Sequence, residues 1–224
     1  MGHGKYIDPF KAGDSLGLRP RNDNVTPGEA SCHPELVEGS LYRVQAGETL
    51  NLEYVVLPGE SKDINVNIDL VGPGAEAHIK ALYLCKADEK VHFRILMHHR
   101  APGCHSTQRI NGIAGGAAQV HFDGTIVVAP DAQQTEAYQE NHNIVLTDTA
   151  KVDTRPQLEI YADDVKCSHG ATVGQLNADE LFYMRSRGVP ETEARTLQML
   201  SFLSPVIPAG REEKIERVLR SYAE

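Results

Sequence analysis

Cys167 and His169 stand two residues apart in the stretch VKCSHGATV. On a strand that spacing sends both side chains to one face. A thiolate and an imidazole together suit iron–sulfur chemistry and zinc alike, so this pair is the first candidate for a metal site. A weaker candidate is Cys104 with His105, which follows the turn Ala101-Pro102-Gly103 and is expected to be exposed. The other soft ligands read more plainly. Cys85 follows Leu82 and Leu84 and reads as a small core hydrophobe. His98 and His99 close a strand and read as a solvated strand end, as does His142 in QENHNIV; His3, Cys32 and His33 lie in a poorly patterned stretch.

The chemistry that is absent narrows the choice. The chain has no GxxxxGK[ST], GxSxG or HExxH, so neither a phosphate-cradling loop nor a nucleophile elbow nor a zincin helix is present. Asp163-Asp164 and the pair Asp148 and Asp153 could line the groove of a carbohydrate-active enzyme, but aspartate is favoured where strands end and these read as turn residues. Asp and Glu number 31 against 22 Lys and Arg, a net charge of −9, which argues against nucleic acid as a partner because phosphate neutralisation needs clustered bases. Four cysteines without a CxxC do not form a disulfide framework in a chain of 224 residues. The start, MGHGKYIDPFKAGD, has no apolar signal-peptide core. No apolar run approaches the roughly 18 residues of a membrane span. A reducing, cytoplasmic compartment is the expectation.

These candidates need a scaffold, and the chain's rhythm supplies one. Alternating apolar segments start at Ile64, Ala77, Val91, Ser106, Val120, Thr135, Val152 and Val165. That is a step of about 14 residues, two of which make a coil within the period range of solenoids. An antiparallel sandwich would place strands closer, about every 8 to 12 residues. With no Trp and five Phe, the core must rest on small and β-branched side chains, as stacked coils require. The fold class read from this is mainly β: a right-handed parallel β-helix, with handedness from the usual crossover preference, followed by a C-terminal α-helical appendage. The expected divisions are a weakly ordered lead-in over 1–48, a β-helix core over 49–175 and a helical region over 176–224. In the last, Asn177 is placed to cap a helix over Ala178–Arg187 and Pro190 to open a second with the apolar stripe Ala194, Leu197, Leu200 and Leu203. A third carries Ile215, Val218, Leu219 and Tyr222 at helical spacing. These helices read as a cap over the open end of the solenoid, as a docking surface, or as both. Residues one coil apart stack in a β-helix, so ligands can converge without short sequence spacing.

Whole phrases of the chain, PQLEIYADDVKCSHGATVG and LFYMRSRGVPETEA, resemble the SufB/SufD family of iron–sulfur cluster assembly scaffolds, and within it the SufD-type members. The resemblance runs from about Leu50 into the C-terminal helices and is most specific over Gln119–Arg195. It implies a β-helix flanked by helices and a non-enzymatic scaffold with no tightly bound cofactor, at most a nascent iron–sulfur cluster shared with a SufB-like paralogue. It further implies that His169 is a cluster-assembly ligand at the interface with that paralogue. The SufB type is expected to supply a cysteine from a neighbouring coil and a glutamate beside its own histidine; the matching positions here are Asn141 and Gly170, so the partner would complete the site. The helical region would dock a SufC-like ABC ATPase, with Leu181, Phe182, Tyr183, Arg185, Arg187, Leu197 and Leu200 as docking candidates. Family members usually carry a longer N-terminal part, so the chain reads as a short member or a truncated one. The competing readings are a β-helix carbohydrate-active enzyme and a structural homodimer that binds no metal.

Overall fold

The computed structural model describes residues 5–7 and 40–223. Its strands, in chain order, are β1 (Lys5–Ile7), β2 (Ser40–Val44), β3 (Thr49–Val56), β4 (Lys62–Leu70), β5 (Glu76–Cys85), β6 (Lys90–His99), β7 (His105–Ala114), β8 (Gln119–Val128), β9 (Glu136–Val145), β10 (Lys151–Ile160) and β11 (Lys166–Gly174). Alternate strands go to opposite sheets, β1-β3-β5-β7-β9-β11 in one and β2-β4-β6-β8-β10 in the other. Every pairing is parallel and in register. The result is a parallel β-solenoid of about five coils. Each strand from β4 to β11 begins within two residues of the start read from the apolar rhythm. Ser40–Val44 already pairs with β4, so the coils begin ahead of position 48; Cys32 and His33 lie outside the described residues, as does His3.

The inner faces of the two sheets meet in a core of Val66, Ile68, Leu70, Ile79, Val91, Phe93, Met97, Phe122 and Ile126 with interleaved alanines. Cys85 belongs to it, fully buried. The turns stack as the strands do: Gly74 N–H donates to the Pro102 carbonyl (3.1 Å), Gly103 to Gln133 (2.8 Å) and Gln134 to Asp164 (2.6 Å). Glu89, 6% exposed, fastens a turn stack at the other side, accepting from the backbone N–H groups of Gly59 (2.8 Å), Ala87 (2.7 Å) and Lys86 (3.1 Å). Burial pushes its carboxyl up, and these backbone donors outweigh it, leaving the group below its ordinary value.

The helices are α1 (Ala178–Ser186), α2 (Glu191–Leu203), a 3₁₀ turn (Ser204–Val206) and α3 (Glu212–Ala223). They do not close the end of the solenoid. They lie beside it, on the outer face of β5, β7 and β9, where Leu82, Leu84, Ile113 and Ile144 pack against Met199, Leu203, Val206, Ile215, Leu219 and Tyr222. The physical reason is in the strands: β5 carries apolar side chains on both faces over its second half, and the outward set needs a cover. Asn111 donates its amide to the Phe202 carbonyl (2.7 Å) and fixes α2 on that face. The face α2 buries is Ala194, Thr196, Met199 and Leu203. Leu197, assigned to the apolar stripe by spacing, is 45% exposed.

Candidate functional site

The C-terminal end of the solenoid is open. Among the described residues β11 pairs only with β9 and β10 only with β8, so each terminates its sheet. Cys167 and His169 lie on β11 in register with Ala137 and Gln139. Both partners are buried between the sheets, so Cys167 and His169 share the inward face, as their spacing predicts. Cys167 is half-buried against the core, while His169, in the last coil with no strand beyond it, is exposed. Gly170 stands beside Glu140, and a Cβ built there would meet nothing within 4 Å. The space for a longer side chain is therefore present and unfilled. Asn141, one coil inside Ala171, is 1% exposed; its side-chain oxygen accepts from the Asn143 amide (2.7 Å) and its own Nδ2 has no partner among the described residues.

The floor beneath this end is polar. Gln108, Gln139, Asn141 and Asn143 occupy inward positions of β7 and β9, in columns that β5 fills with Ile79, Ala81 and Tyr83. Gln139 donates its amide to Gln108 Oε1 (2.9 Å), and Tyr83 donates its hydroxyl to Asn143 Oδ1 (2.6 Å). These buried amides escape sequence reasoning because only the apolar members of an alternating strand announce its inner face. The signal was the run Ala137, Gln139, Asn141, Asn143, in phase with the inward residues of the neighbouring strands.

The structure does not bring Cys104 and His105 together. Cys104 is buried, its thiol donating to the Gly72 carbonyl (3.4 Å). His105 is adjacent and so points outward, edge-on to His78 and Tyr138 at centroid distances of 5.4 and 6.0 Å. Nor is His99 a solvated strand end: it is fully buried, with Nε2 against Ser106 Oγ at 2.9 Å. His98, its neighbour, faces out toward Asp69. Among the described thiols, burial raises Cys85 to about 12 and holds Cys104 and Cys167 above the ordinary thiol value. At neutral pH all three are protonated, and Cys167 would have to lose its proton to become a ligand. The aspartates do not converge: Asp153 is in β10 and paired to Arg155 (2.6 Å), while Asp163 and Asp164 form the turn between β10 and β11. Among the described residues no three of His, Cys, Asp and Glu are grouped to hold a metal ion.

Next to the open coil lies a groove of about 970 Å³ between the end of β11 and the first two helices, lined by Val173, Leu176, Tyr183, Leu197 and Phe202. α1 forms one wall. It is capped by Asn177, whose side-chain oxygen accepts from the N–H of Asp179 (3.0 Å) and Glu180 (3.2 Å), and it buries no residue. Phe182 is 74% and Tyr183 59% exposed. Arg185 pairs with Glu191 (3.3 Å), and the Arg187 guanidinium lies 5.3 Å from the Tyr183 ring centroid. Leu181 is half-buried and Leu200 packs into the helical core, so the exposed part of the docking set is Phe182, Tyr183, Arg185, Arg187 and Leu197. No described helix is long and apolar enough to cross a membrane.

Residues 37–202 match the family model described as the SufBD core domain of the SUF system of iron–sulfur cluster assembly. Relatives include the iron–sulfur cluster assembly protein SufD of Escherichia coli, 36% identical over 68% of this chain and 36% of that protein. A SufBD family protein of Synechocystis is 41% identical over 50% of this chain and 27% of its own length. One of Mycobacterium leprae is 30% identical over 82% of this chain and 51% of its own. The chain thus spans about a quarter to a half of the curated relatives it matches.

Proposed function

Because the chain belongs to the SufBD family of iron–sulfur cluster assembly proteins, we propose that it is a SufD-like, non-catalytic scaffold subunit, working in the cytoplasm with a SufB-like paralogue and a SufC-like ABC ATPase. The observation that carries this reading is the open last coil. Among the described residues β10 and β11 leave their outer backbone edges unpaired, a template on which strands of a second chain continue both sheets. The edge that would receive them bears Cys167 and His169, an incomplete donor set. The paralogue's cysteine and glutamate would complete it. The cluster is then cargo built between two chains, and neither subunit needs a resident cofactor. The exposed aromatic residues of α1 form the handle for the ATPase, whose nucleotide cycle would move the helices against the solenoid and open the site.

Co-purification of the full chain with both partners tests this. The intact chain should join both. The double variant Phe182→Ala/Tyr183→Ala should keep the paralogue and bind the ATPase about 30-fold more weakly, the loss of a single strong anchor of about 2 kcal/mol. His169→Ala should keep both partners and lower the yield of assembled cluster about tenfold or more. An intact chain that joins neither partner and runs as a homodimer, with its two open ends paired, would replace the scaffold reading with a structural one.

A further inference from the structure

Three buried amides, Gln108, Gln139 and Asn141, and the buried hydroxyl of half-buried Thr154 each leave a polar atom without a partner among the described residues. One of these has a partner within reach. Gln139 is 1% exposed and uses its Nε2 on Gln108, which leaves its Oε1 with no donor. The strand next to it is β11, and the residue in register is His169. In-register neighbours on one face are about 4.8 Å apart at the backbone, close enough for a side-chain hydrogen bond. A buried carbonyl oxygen without a donor is costly, and an imidazole N–H supplies what it lacks.

We propose that Gln139 is the positioning residue for His169: its Oε1 accepts the N–H of the ring nitrogen nearer the backbone, Nδ1, and so leaves Nε2 unprotonated and aimed at the end of the coil. Histidine ligands commonly donate their second ring N–H to such an acceptor, which fixes tautomer and ring orientation together. The ladder Gln108–Gln139–His169 would then run from the closed interior to the open edge as a single directed chain of amide and imidazole dipoles. Arrival of a partner strand over β11 dries the ring and completes the bond. This inference rests on the reading of His169 as a cluster-assembly ligand and adds the residue that sets which of its nitrogens is available.

The test reads the ring proton directly, by ¹⁵N NMR of the imidazoles in the full chain alone and with the SufB-like paralogue, and the cluster yield separately. The expected result is a proton on Nδ1 of His169 in the complex, loss of that preference in Gln139→Met, and a several-fold fall in cluster yield. Gln139→Glu, which keeps an acceptor that the flipped Gln108 amide can bond, should restore both. The paired variant Gln108→Met/Gln139→Met, which strands neither amide, should behave as Gln139→Met does and guards against misfolding of the single change. A proton on Nε2 would mean that Gln139 turns its amide outward, and would overturn the proposal. So would an unchanged ring proton and yield in Gln139→Met beside a loss of yield in His169→Ala, with the site itself standing. A silent His169→Ala would remove the site, and this inference with it.

Discussion

Gly72→Ala is expected to destabilise the protein by about 3 kcal/mol or more. Gly72 lies between β4 and β5, where the chain crosses directly over the preceding coil. A Cβ built there would stand 2.0 Å from the backbone nitrogen of Ala46 and 2.5 Å from its Cα. Backbone atoms have no rotamer by which to yield, so the two turns must part. That parting strains the bonds from Val71 to Val44 and from Gly47 to Pro73 (3.0 and 3.2 Å) that hold the turns in step. Gly170→Ala is the matched control, since a Cβ there meets nothing within 4 Å, and it should lie within about 0.5 kcal/mol of the parent. Urea unfolding followed by circular dichroism separates the two. A Gly72→Ala midpoint equal to that of Gly170→Ala would show that the coils are not in the close contact described.

The second large effect is a loss of stability in acid traced to His99. Its imidazole is fully buried, and Nδ1 has no partner among the described residues. Burial, with His98 and His105 adding to it, lowers its pKa from 6.5 to about 4. The folded protein therefore refuses a proton that the unfolded chain accepts. Its stability is full above pH 6.5 and falls progressively between 6.5 and 4, by about 3 kcal/mol, after which this contribution is spent. His99→Gln should lack that decline while sharing the losses that the carboxylates impose on both proteins. Parallel denaturation curves for the two proteins across that window would show that His99 takes up its proton without unfolding the core.

Much of this was legible in the chain. The alternation Ile64, Val66, Ile68, Leu70 and its successors mark one buried face, and a step that repeats marks a coil; those signals are local and strong. The same alternation, carried one residue further along Val91, Phe93, Ile95 and Met97, places His99 inside. Its type, and the charged neighbour that follows, argued for solvent. Cys104 and His105 do not form a pair because Cys104, just ahead of β7, is buried, while His105, the first residue of that strand, faces out. Ser40–Val44 is short and sits among turn-forming residues, so its pattern was too brief to read. The lateral seat of the helices was the least visible feature. β5 reads as an unbroken run, Ala81 to Cys85, and a run cannot say which of its faces a distant helix will cover. At the open coil, sequence spacing supplied the shared face of Cys167 and His169 but not the glutamine beneath them. That residue is defined by register between strands thirty positions apart, which no local pattern records.

α1 buries none of its residues and is held to α2 by the Arg185–Glu191 ion pair and by the Gln198 amide, which bonds the Asn177 carbonyl and Glu180 Oε2 at 3.0 Å each. Hydrogen exchange should divide the molecule accordingly. The amides of β5 to β8, locked between neighbours on both sides, should exchange only through opening of the whole solenoid, whereas those of α1 should exchange through a local opening with a free energy near zero. A partner that grips this helix must also hold it folded, so its affinity includes the cost of ordering it. Substitutions that raise the intrinsic helicity of α1 at positions no partner touches would then tighten binding, and an exposed glycine within α1 would weaken it, without altering a single contact.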